Sequence, residues 1–337
     1  MFQIPKTGTL PNAGGRALLL ASVAMVALST PAHANPTYVT FDVQGATSTN
    51  PTAINSSNVV TGSASGFDGF VRAANGTITT FDVPNANGTH PVSINDDGTI
   101  TGWYFDSSYR QHGFVRSSGG TITSIDPPGS NGTVAVSLNA RGFITGTYTC
   151  TTAACGYVLS PGGKYTSFEV SNSTYTNPSA INASRQITGY YLDANYHQHG
   201  FLRAADGTIT DFDVSGAVDT VPASLNAKNT ATGNYDDSAG NIHGFLRTAD
   251  GTITDFDAPK ATFGTFPSGI NAKGAIAGSY DTQDEVFGFF RTPGGRFRTV
   301  FVKGSAGTTV SGINDARVIT GYYLDTSNNS HGYLRMP

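Results

Sequence analysis

Seven copies of one unit make up most of the chain, and this repetition constrains the fold more than any other feature. An apolar residue followed by Asn recurs every 40 to 45 residues, and a Gly stands seven residues after each of these Asn. The seven are Asn55, Asn95, Asn139, Asn182, Asn226, Asn271 and Asn314. The copies continue through a His-Gly-Phe-x-Arg segment and a Thr-Ile-Thr-x-Phe-Asp segment, each present in that form in three copies and in variants of it elsewhere. A repeat of this length is one supersecondary unit that buries its apolar surface against its neighbours.

The segments of each copy predict four antiparallel strands. They are short and rich in β-branched and aromatic residues, and turn residues separate them. Pairs such as Asn75-Gly76 and Asp206-Gly207 are typical of two-residue hairpin turns that need positive φ. The chain holds 41 Gly and only two Glu, a composition of strands and turns rather than helices. Four strands in roughly 43 residues are typical of a β-propeller blade.

The two ends of the repeat region complement each other. Residues 37–43 read as an outermost strand without its blade, and residues 313–335 read as three strands that lack their outermost member. We therefore predict an all-β, seven-bladed β-propeller with four antiparallel strands per blade. The N-terminal strand completes the last blade and closes the ring, so that no sheet edge is left open.

The first 34 residues have the pattern of a secretory signal. Lys6 and Arg16 precede a run of twelve apolar or small residues, and the triplet Ala32-His33-Ala34 follows. This run is too short for the roughly 20 residues of a membrane-spanning helix. We predict a signal peptide over residues 1–34 with cleavage after Ala34, and a propeller over residues 35–337. The protein is then exported to the periplasm or the medium, without a membrane span.

The repeat resembles the HAF-type repeat of exported bacterial proteins. That family has an Ile-Asn-x-x-Gly-x-Ile-x-Gly stretch followed by His-Ala-Phe. Here the triplet is His-Gly-Phe, as in His112-Gly113-Phe114 and His199-Gly200-Phe201. The resemblance covers residues 35–337 and implies export and a repeat fold. It supplies no catalytic residues.

Two positions in the second hairpin of each copy vary together. Four copies have an Asp followed six residues later by a His: Asp106 and His112, Asp193 and His199, Asp237 and His243, Asp325 and His331. The third copy has Cys150 and Cys155 instead. Because a disulfide needs Cβ atoms about 3.5–4.5 Å apart, the exchange indicates that the two positions touch. We predict structural Asp–His pairs and a Cys150–Cys155 disulfide.

No catalytic, metal or cofactor site is predicted. None of the common zinc-protease, serine-hydrolase or Cys-x-x-Cys motifs occurs, and two ligands per hairpin cannot complete a metal's coordination sphere. The low content of Lys and Arg argues against nucleic acid as a partner. We expect a monomer.

The candidate ligand contacts are residues that differ between the copies. Strand order places the hairpin loops and the links between blades on one face of the propeller. The middle residues of the Thr-x-Pro motifs should line the channel mouth there. The candidates are Tyr109, Arg110, Tyr196, His197, His90, Asp219 and Phe266.

Three functions remain open. The first is a secreted or periplasmic binding or scaffold module for a glycan, a peptide or a protein. The second is a propeller enzyme, a lyase or glycan hydrolase, with an Asp/His/Arg site on the loop face. The third is a structural repeat protein of an envelope or matrix.

Overall fold

The repeat folds into β-strands throughout. The computed structural model describes residues 35–65, 68–150 and 154–337, and within them it contains 28 strands and no helix. The predicted signal peptide lies outside the described residues, as do Gly66 and Phe67. Among the described residues, no helix has the length and apolarity to cross a bilayer. Pro36–Pro337 is one compact unit of the chain.

The strands fall into groups of four that follow the sequence repeat, and we call each group a unit. Unit 1 contains β2 to β5, and the later units follow in order until unit 7, which contains β26 to β28 and β1. The first strands are β2 Thr49–Ile54, β6 Thr89–Ile94, β10 Thr133–Leu138, β14 Tyr175–Ile181, β18 Asp219–Leu225, β22 Gly264–Ile270 and β26 Gly307–Ile313. The second strands are β3 Val60–Ala64, β7 Ile100–Phe105, β11 Ile144–Thr149, β15 Ile187–Leu192, β19 Ala231–Asp236, β23 Ile276–Asp281 and β27 Ile319–Leu324.

The third and fourth strands carry the other two segments of the repeat. The third strands are β4 Asp68–Arg72, β8 Gln111–Arg116, β12 Ala154–Leu159, β16 Gln198–Arg203, β20 Ile242–Arg247, β24 Val286–Arg291 and β28 Ser330–Arg335. The fourth strands are β5 Ile78–Phe81, β9 Ile122–Ile125, β13 Tyr165–Phe168, β17 Ile209–Phe212, β21 Ile253–Phe256, β25 Phe297–Val300 and, at the N-terminal end, β1 Tyr38–Phe41.

Pairing within each unit is antiparallel and follows strand order. Two single parallel bridges, Ala154 with Tyr175 and Ile242 with Gly264, join neighbouring units into larger sheets. The N-terminal strand β1 pairs with β28, so that Tyr38 lies opposite Arg335. This pairing of the first described strand with the last was predicted from the sequence.

A bulge lies at the same place in the first strand of every unit. In five units the register shifts directly after the proline of the Thr-x-Pro motif, at Pro51, Pro91, Pro178, Pro222 and Pro267. In units 3 and 7 it shifts after Ala135 and Val310, so the bulge does not require proline. These prolines were expected at the ends of the links, and they lie inside the first strands. Each faces the repeated Gly of the second strand, at which a Cβ would overlap the backbone oxygen of the residue before the proline. The close approach explains why glycine recurs in every copy.

The core lies between neighbouring units. The third strand of each unit buries one aromatic ring: Phe70, Phe114, Tyr157, Phe201, Phe245, Phe289 and Tyr333. Several of these rings meet an aromatic ring on the fourth strand of the preceding unit, as Phe81 meets Phe114 at 6.3 Å. Arg116 covers the other side of the Phe81 ring, at 4.7 Å from its centroid. Six of the seven junctions have such a cation–π contact. At the junction of units 2 and 3, Leu159 takes the place of the arginine.

Candidate functional site

The loops lie at two opposite ends of the strands. The turns between first and second strands and those between third and fourth strands share one end, which we call the Asn face. The hairpins between second and third strands and the links between units share the other end, which we call the His face. Contacts across the loops agree with this division, because Arg110 in a hairpin reaches the carbonyl of Ser130 in the following link. The sequence-predicted hairpin loops and links therefore do share one face.

Each predicted Asp–His pair on the His face has a second carboxylate. His112 Nε2 lies 3.3 Å from Asp106 Oδ2, as predicted, and its Nδ1 lies 2.9 Å from Asp126 Oδ2. The same Asp–His–Asp arrangement occurs in three other units: Asp193, His199 and Asp213; Asp237, His243 and Asp257; Asp325, His331 and Asp42. Sequence reasoning missed the second carboxylate, although it is the Asp that ends every Thr-Ile-Thr-x-Phe-Asp segment.

The triads are structural in their geometry. Asp106 Oδ1 accepts the N–H groups of Ser108 and Arg110 and so closes the hairpin, which leaves Oδ2 for His112. The imidazole stacks on Tyr104, with ring centroids 5.2 Å apart. Every polar atom of the imidazole is thus committed within its own unit.

Electrostatics favour the charged form of these imidazoles. Partial burial acts to lower the pKa of His199, His243 and His331, but hydrogen bonds and charges of their paired carboxylates outweigh it, so each pKa lies above its ordinary value. Hydrogen bonds, chiefly from the backbone and side chain of Asn329, lower the pKa of Asp325 to about 2. At mildly acidic pH, these three imidazoles therefore favour the protonated form beside their carboxylates.

Three units lack the triad. Unit 1 has Asp68 at the position of the histidine, and units 3 and 6 replace the residues at all three positions. In unit 3, the sulfur atoms of Cys150 and Cys155 lie at disulfide-bonding distance, with Cα atoms 5.8 Å apart, and Glu169 Oε1 lies 2.6 Å from Cys155 Sγ. In unit 6, Phe287 packs on Phe301, with ring centroids 5.0 Å apart. The predicted contact between the two exchanged positions is confirmed.

Of the candidate ligand residues, Tyr109 and Arg110 stand at the tip of the unit 2 hairpin. Tyr109 is 75% exposed and adopts a φ of 60°, a left-handed conformation that is uncommon for a bulky side chain. Tyr196 at the tip of the unit 4 hairpin has the same exposure and a φ of 67°. The two tyrosines belong to the hairpins of units 2 and 4, with unit 3 between them.

A second group of candidates meets at the junction of units 4 and 5. His197 Nδ1 lies 3.8 Å from Asp219 Oδ1, and Asp219 also accepts the N–H of Gln198 at 2.6 Å. Asp236 lies opposite Asp219 in the strand register. Burial and the charges of Asp219 and Asp237 raise the pKa of Asp236. The sequence analysis did not single out Asp236, whose significance depends on this register.

His90 belongs to an aromatic cluster on strands β6 and β7 of unit 2. Its imidazole stacks on the indole of Trp103, with centroids 3.9 Å apart and ring planes 20° apart. Phe105 meets Trp103 edge to face at 5.2 Å. His90 and Trp103 are both half-buried, and burial lowers the pKa of His90. Trp103 is the only tryptophan of the chain, and sequence reasoning passed over it.

The cluster breaks the symmetry of the repeat. Trp103 lies opposite His90 in the register, and the equivalent residue in unit 1 is Ser63, opposite Asn50. In unit 6 the equivalent pair is Phe266 and Ser279, and the Phe266 ring packs over the backbone of Gly264. Units 4 and 7 also place an aromatic ring at the Trp103 position, namely Tyr190, which stacks on Tyr175 with centroids 6.4 Å apart, and Tyr322. What is particular to unit 2 is the stack of an imidazole on an indole.

The seven repeated asparagines meet at the Asn face. Each Asn Oδ1 accepts the N–H four residues further on at 2.9–3.0 Å, which is the predicted turn role. Each Nδ2 also donates to the backbone carbonyl of the next repeated Asn at 2.9–3.4 Å, and Asn314 donates to Asn55. The seven hydrogen bonds form a closed cycle around a cavity of about 380 Å³.

One group of side chains in the described part of the chain has the spacing of a metal site. It consists of Cys150, Cys155 and Glu169, whose possible ligand atoms lie within 4.8 Å of one another. Two of those atoms are the paired sulfurs of the disulfide. A disulfide sulfur is not a thiolate, and thiolates are what metals bind at cysteine.

Solved β-propellers resemble this structure. Catalytically inactive virginiamycin B lyase from Staphylococcus aureus with quinupristin is 16% identical, with a TM-score of 0.63 over 90% of this chain and 100% of that chain. The β-propeller domain of the Trilobed protease from Pyrococcus furiosus is 9% identical, with a TM-score of 0.61 over 88% of this chain and 94% of that one. TolB from Acinetobacter baumannii is 13% identical, with a TM-score of 0.50 over 69% of this chain and 58% of that one.

These likenesses concern the fold alone. No protein-family model matches the chain, and no curated protein matches it in sequence. The chain is therefore an all-β protein of the β-propeller type, and its function must be argued from its own residues.

Proposed function

We propose that the protein is an exported, closed seven-bladed β-propeller that binds a neutral glycan at the channel mouth of its His face. Closure is supported by the pairing of β1 with β28, by the hydrogen bond from Asn314 to Asn55, and by the contact of β26 with β2. His331 of the last unit is also bonded to Asp42 beside β1. Export rests on the signal pattern of residues 1–34 and on the HAF-type resemblance.

Deletion of residues 35–44 tests the closure. The loss of β1 exposes the ladder edge of β28 and uncovers Phe70, whose ring packs against Phe41. We expect a sharp loss of stability, measured by thermal unfolding of the chain without its signal. A deletion variant that melts like the parent would contradict closure.

The stacked rings of His90 and Trp103 carry the binding proposal. Sugars bind aromatic rings because their C–H faces pack on the ring while their hydroxyls bond to polar neighbours. Trp103 and Phe105 supply the apolar surface, and His90 and the nearby loops supply polar atoms. Positions that are the same in every unit hold the scaffold together, whereas only unit 2 pairs an imidazole with an indole at this position, as a site for an asymmetric ligand requires.

The charge of the His face selects against acidic ligands. Asp82 follows strand β5, and Asp106 and Asp126 belong to the unit 2 triad. Carboxylates of this kind recur in the hairpins and links of the other units. An anionic sugar would be repelled at this face, so we infer an uncharged glycan.

Tryptophan fluorescence tests the site directly, because Trp103 is the only tryptophan present. We expect a saturable change in its emission with one member of a panel of neutral gluco-, manno-, xylo- and chito-oligosaccharides. Trp103→Ala should weaken binding by about tenfold or more, measured by calorimetry, since a buried aromatic contact is a typical hot spot. Ser63→Ala, at the equivalent position in unit 1, is the matched control and should bind normally. The proposed location would be contradicted if no sugar of the panel changed the tryptophan emission, or if Trp103→Ala bound as tightly as the parent.

A second candidate function is hydrolysis or elimination on a glycan at the junction of units 4 and 5. It is favoured by the position of Asp236 opposite Asp219 in the strand register and by the raised pKa of Asp236, which burial and neighbouring carboxylates cause. His197 beside Asp219 would complete the set. The test is product release from the same panel by the parent and by Asp236→Asn. Activity that Asp236→Asn abolishes would favour the enzyme, and turnover that it leaves intact would contradict this role.

A further inference from the structure

The two faces of the molecule carry opposite charge. Fifteen described carboxylates lie in the hairpins and links of the His face: Asp42, Asp82, Asp106, Asp126, Glu169, Asp193, Asp213, Asp219, Asp236, Asp237, Asp257, Asp281, Asp284, Glu285 and Asp325. The turns of the Asn face hold five: Asp96, Asp97, Asp206, Asp250 and Asp315. Most of the carboxylates that make the sequence acidic therefore lie on the His face.

The exposed cations show the reverse distribution. Three lie on the His face: Arg110, Lys260 and Lys303. Seven lie on the Asn face: Arg141, Lys164, Arg185, Lys228, Lys273, Arg296 and Arg317. All seven belong to the consecutive units 3 to 7, whereas the corresponding turn of unit 2 carries Asp96 and Asp97. The cations thus form a continuous arc over the Asn face.

Carboxylates of the protein offset this arc only in part, through the charge of Asp206 on Arg203 and that of Asp250 on Arg247. Within the described residues, every ion pair within 4.0 Å is between a His and an Asp, and none involves Lys or Arg. Six further arginines end the third strands beneath the same face, where their partners are aromatic rings. Their charge adds to the positive potential of the surface above them.

A cavity within the arc concentrates the positive charge. It lies at the junction of units 3 and 4 and has a volume of about 320 Å³. Lys164 and Arg185 line it beside the more deeply buried Arg203, and Ser160 and Thr166 also line it. Asp206 is the one carboxylate in this lining, so three cations face one anion. Arg185 is held over the ring of Phe143, at 5.5 Å from its centroid. The cavity is large enough for one sugar residue and offers donors suited to a carboxylate.

We propose that the Asn face binds an acidic polysaccharide along the arc of units 3 to 7, with one uronate residue in the cavity between units 3 and 4. An extended polyanion matches a series of separated cations better than a compact ligand does. The exposed large apolar side chains among the described residues lie on the His face or on the outer strand β1. The Asn face therefore lacks the rings that stack on nucleic-acid bases and the apolar groups that enter a bilayer.

The experiment measures binding of the chain without its signal to immobilised polygalacturonate. Binding should be lost when ionic strength rises from about 0.1 M to 1 M, because the screening length falls from about 10 Å to 3 Å. The double variant Lys164→Gln/Arg185→Gln should bind about tenfold more weakly or worse. The matched control Lys260→Gln/Lys303→Gln removes the same charge from the His face, and it should bind as the parent does.

Three results would overturn the proposal. They are an equal loss of binding in both double variants, no binding of polygalacturonate at low salt, or preferential binding to vesicles that contain phosphatidylglycerol. Thermal unfolding of each variant verifies that it is folded. Because the two sites lie on opposite faces, Trp103→Ala should bind polygalacturonate normally, so this result and that of the neutral-glycan test are independent.

Discussion

Turns on the Asn face and on the His face are closed by the same pattern of side-chain hydrogen bonds, but the residues that make it are constant on the Asn face and vary on the His face. Asn139 and Asp106 each accept the N–H groups two and four residues further on in their turns. The asparagine is the same in all seven units, whereas the aspartate triad is replaced by Cys–Cys–Glu in unit 3 and by Thr–Phe–Phe in unit 6. The difference lies in the third contact. Asn139 donates to the next unit, whereas Asp106 meets a histidine of its own unit.

A contact that crosses a junction holds two units together, so the loss of one asparagine weakens both its own turn and the junction. A set of residues that meets only within a unit can be exchanged as a whole. The repeat therefore stays identical where units are joined and diverges where they are independent.

Removal of one asparagine of the cycle should have the largest effect. Asn139→Ala leaves the buried N–H of Phe143 without its acceptor and breaks the bond to the carbonyl of Asn182. We expect the free energy of unfolding to fall by about 3 kcal/mol in denaturant titrations. Asp106→Ala, with the same turn geometry on the more exposed His face, should lower the free energy of unfolding by clearly less. Equal losses in the two variants would contradict the comparison.

The disulfide of unit 3 should contribute the next largest effect. Replacement of Cys150 and Cys155 by Ser should lower the free energy of unfolding by about 1–3 kcal/mol, because the closed loop is short. Thiol labelling of the unreduced protein gives the complementary measurement. Two reactive thiols would show that the bridge does not form.

Exchange of a whole triad should change stability little. The variant Asp237→Thr/His243→Phe/Asp257→Phe installs in unit 5 the residues that unit 6 already uses at these positions. We expect the free energy of unfolding to stay within about 1 kcal/mol of the parent, since partly exposed ion pairs contribute little. The single change His243→Phe, which leaves both carboxylates without their partner, is the control and should be less stable than the triple variant. The reverse order would show that the three positions do not behave as a set.

The smallest effect is a dependence on pH. The folded pKa of His243 lies above its ordinary value, so its stabilisation is full below the unfolded pKa, about 6.5, and is lost as pH rises through the folded value. The hydrogen bonds that lower the pKa of Asp237 stabilise the fold above about pH 4 and lose this effect as pH falls through the lowered value. When the pH rises from 5.5 to 8.5, the Tm of the parent should therefore fall by roughly 1–2 °C relative to the Tm of the triple variant. A difference that does not change with pH would mean that His243 is neutral throughout.

The sequence predicted contacts within one unit better than contacts between units. Strands and turns follow from local patterns, and the exchange of Asp and His for two cysteines placed those positions together. The carboxylate of Asp257 was missed because it lies 14 residues after His243, although Glu169 and Phe301 mark the same position in units 3 and 6. The side-chain amide of Asn139 donates a hydrogen bond to a backbone carbonyl 43 residues away. Every residue has a backbone carbonyl, so the sequence does not indicate which one accepts this bond. The stack of His90 on Trp103 likewise depends on a register that the bulge after Pro91 sets.

The pairing of β1 with β28 determines how the molecule responds to mechanical force. The two strands are antiparallel, with Tyr38 opposite Arg335, and the N–H of Met336 donates to the carbonyl of Thr37. Residues 37 and 336 therefore leave the sheet at the same point. Tension between them opens the ladder one hydrogen bond at a time, as a zipper opens, instead of loading all bonds at once in shear. The same pairing that joins the ends of the chain is thus the place where a pull on those ends separates them first.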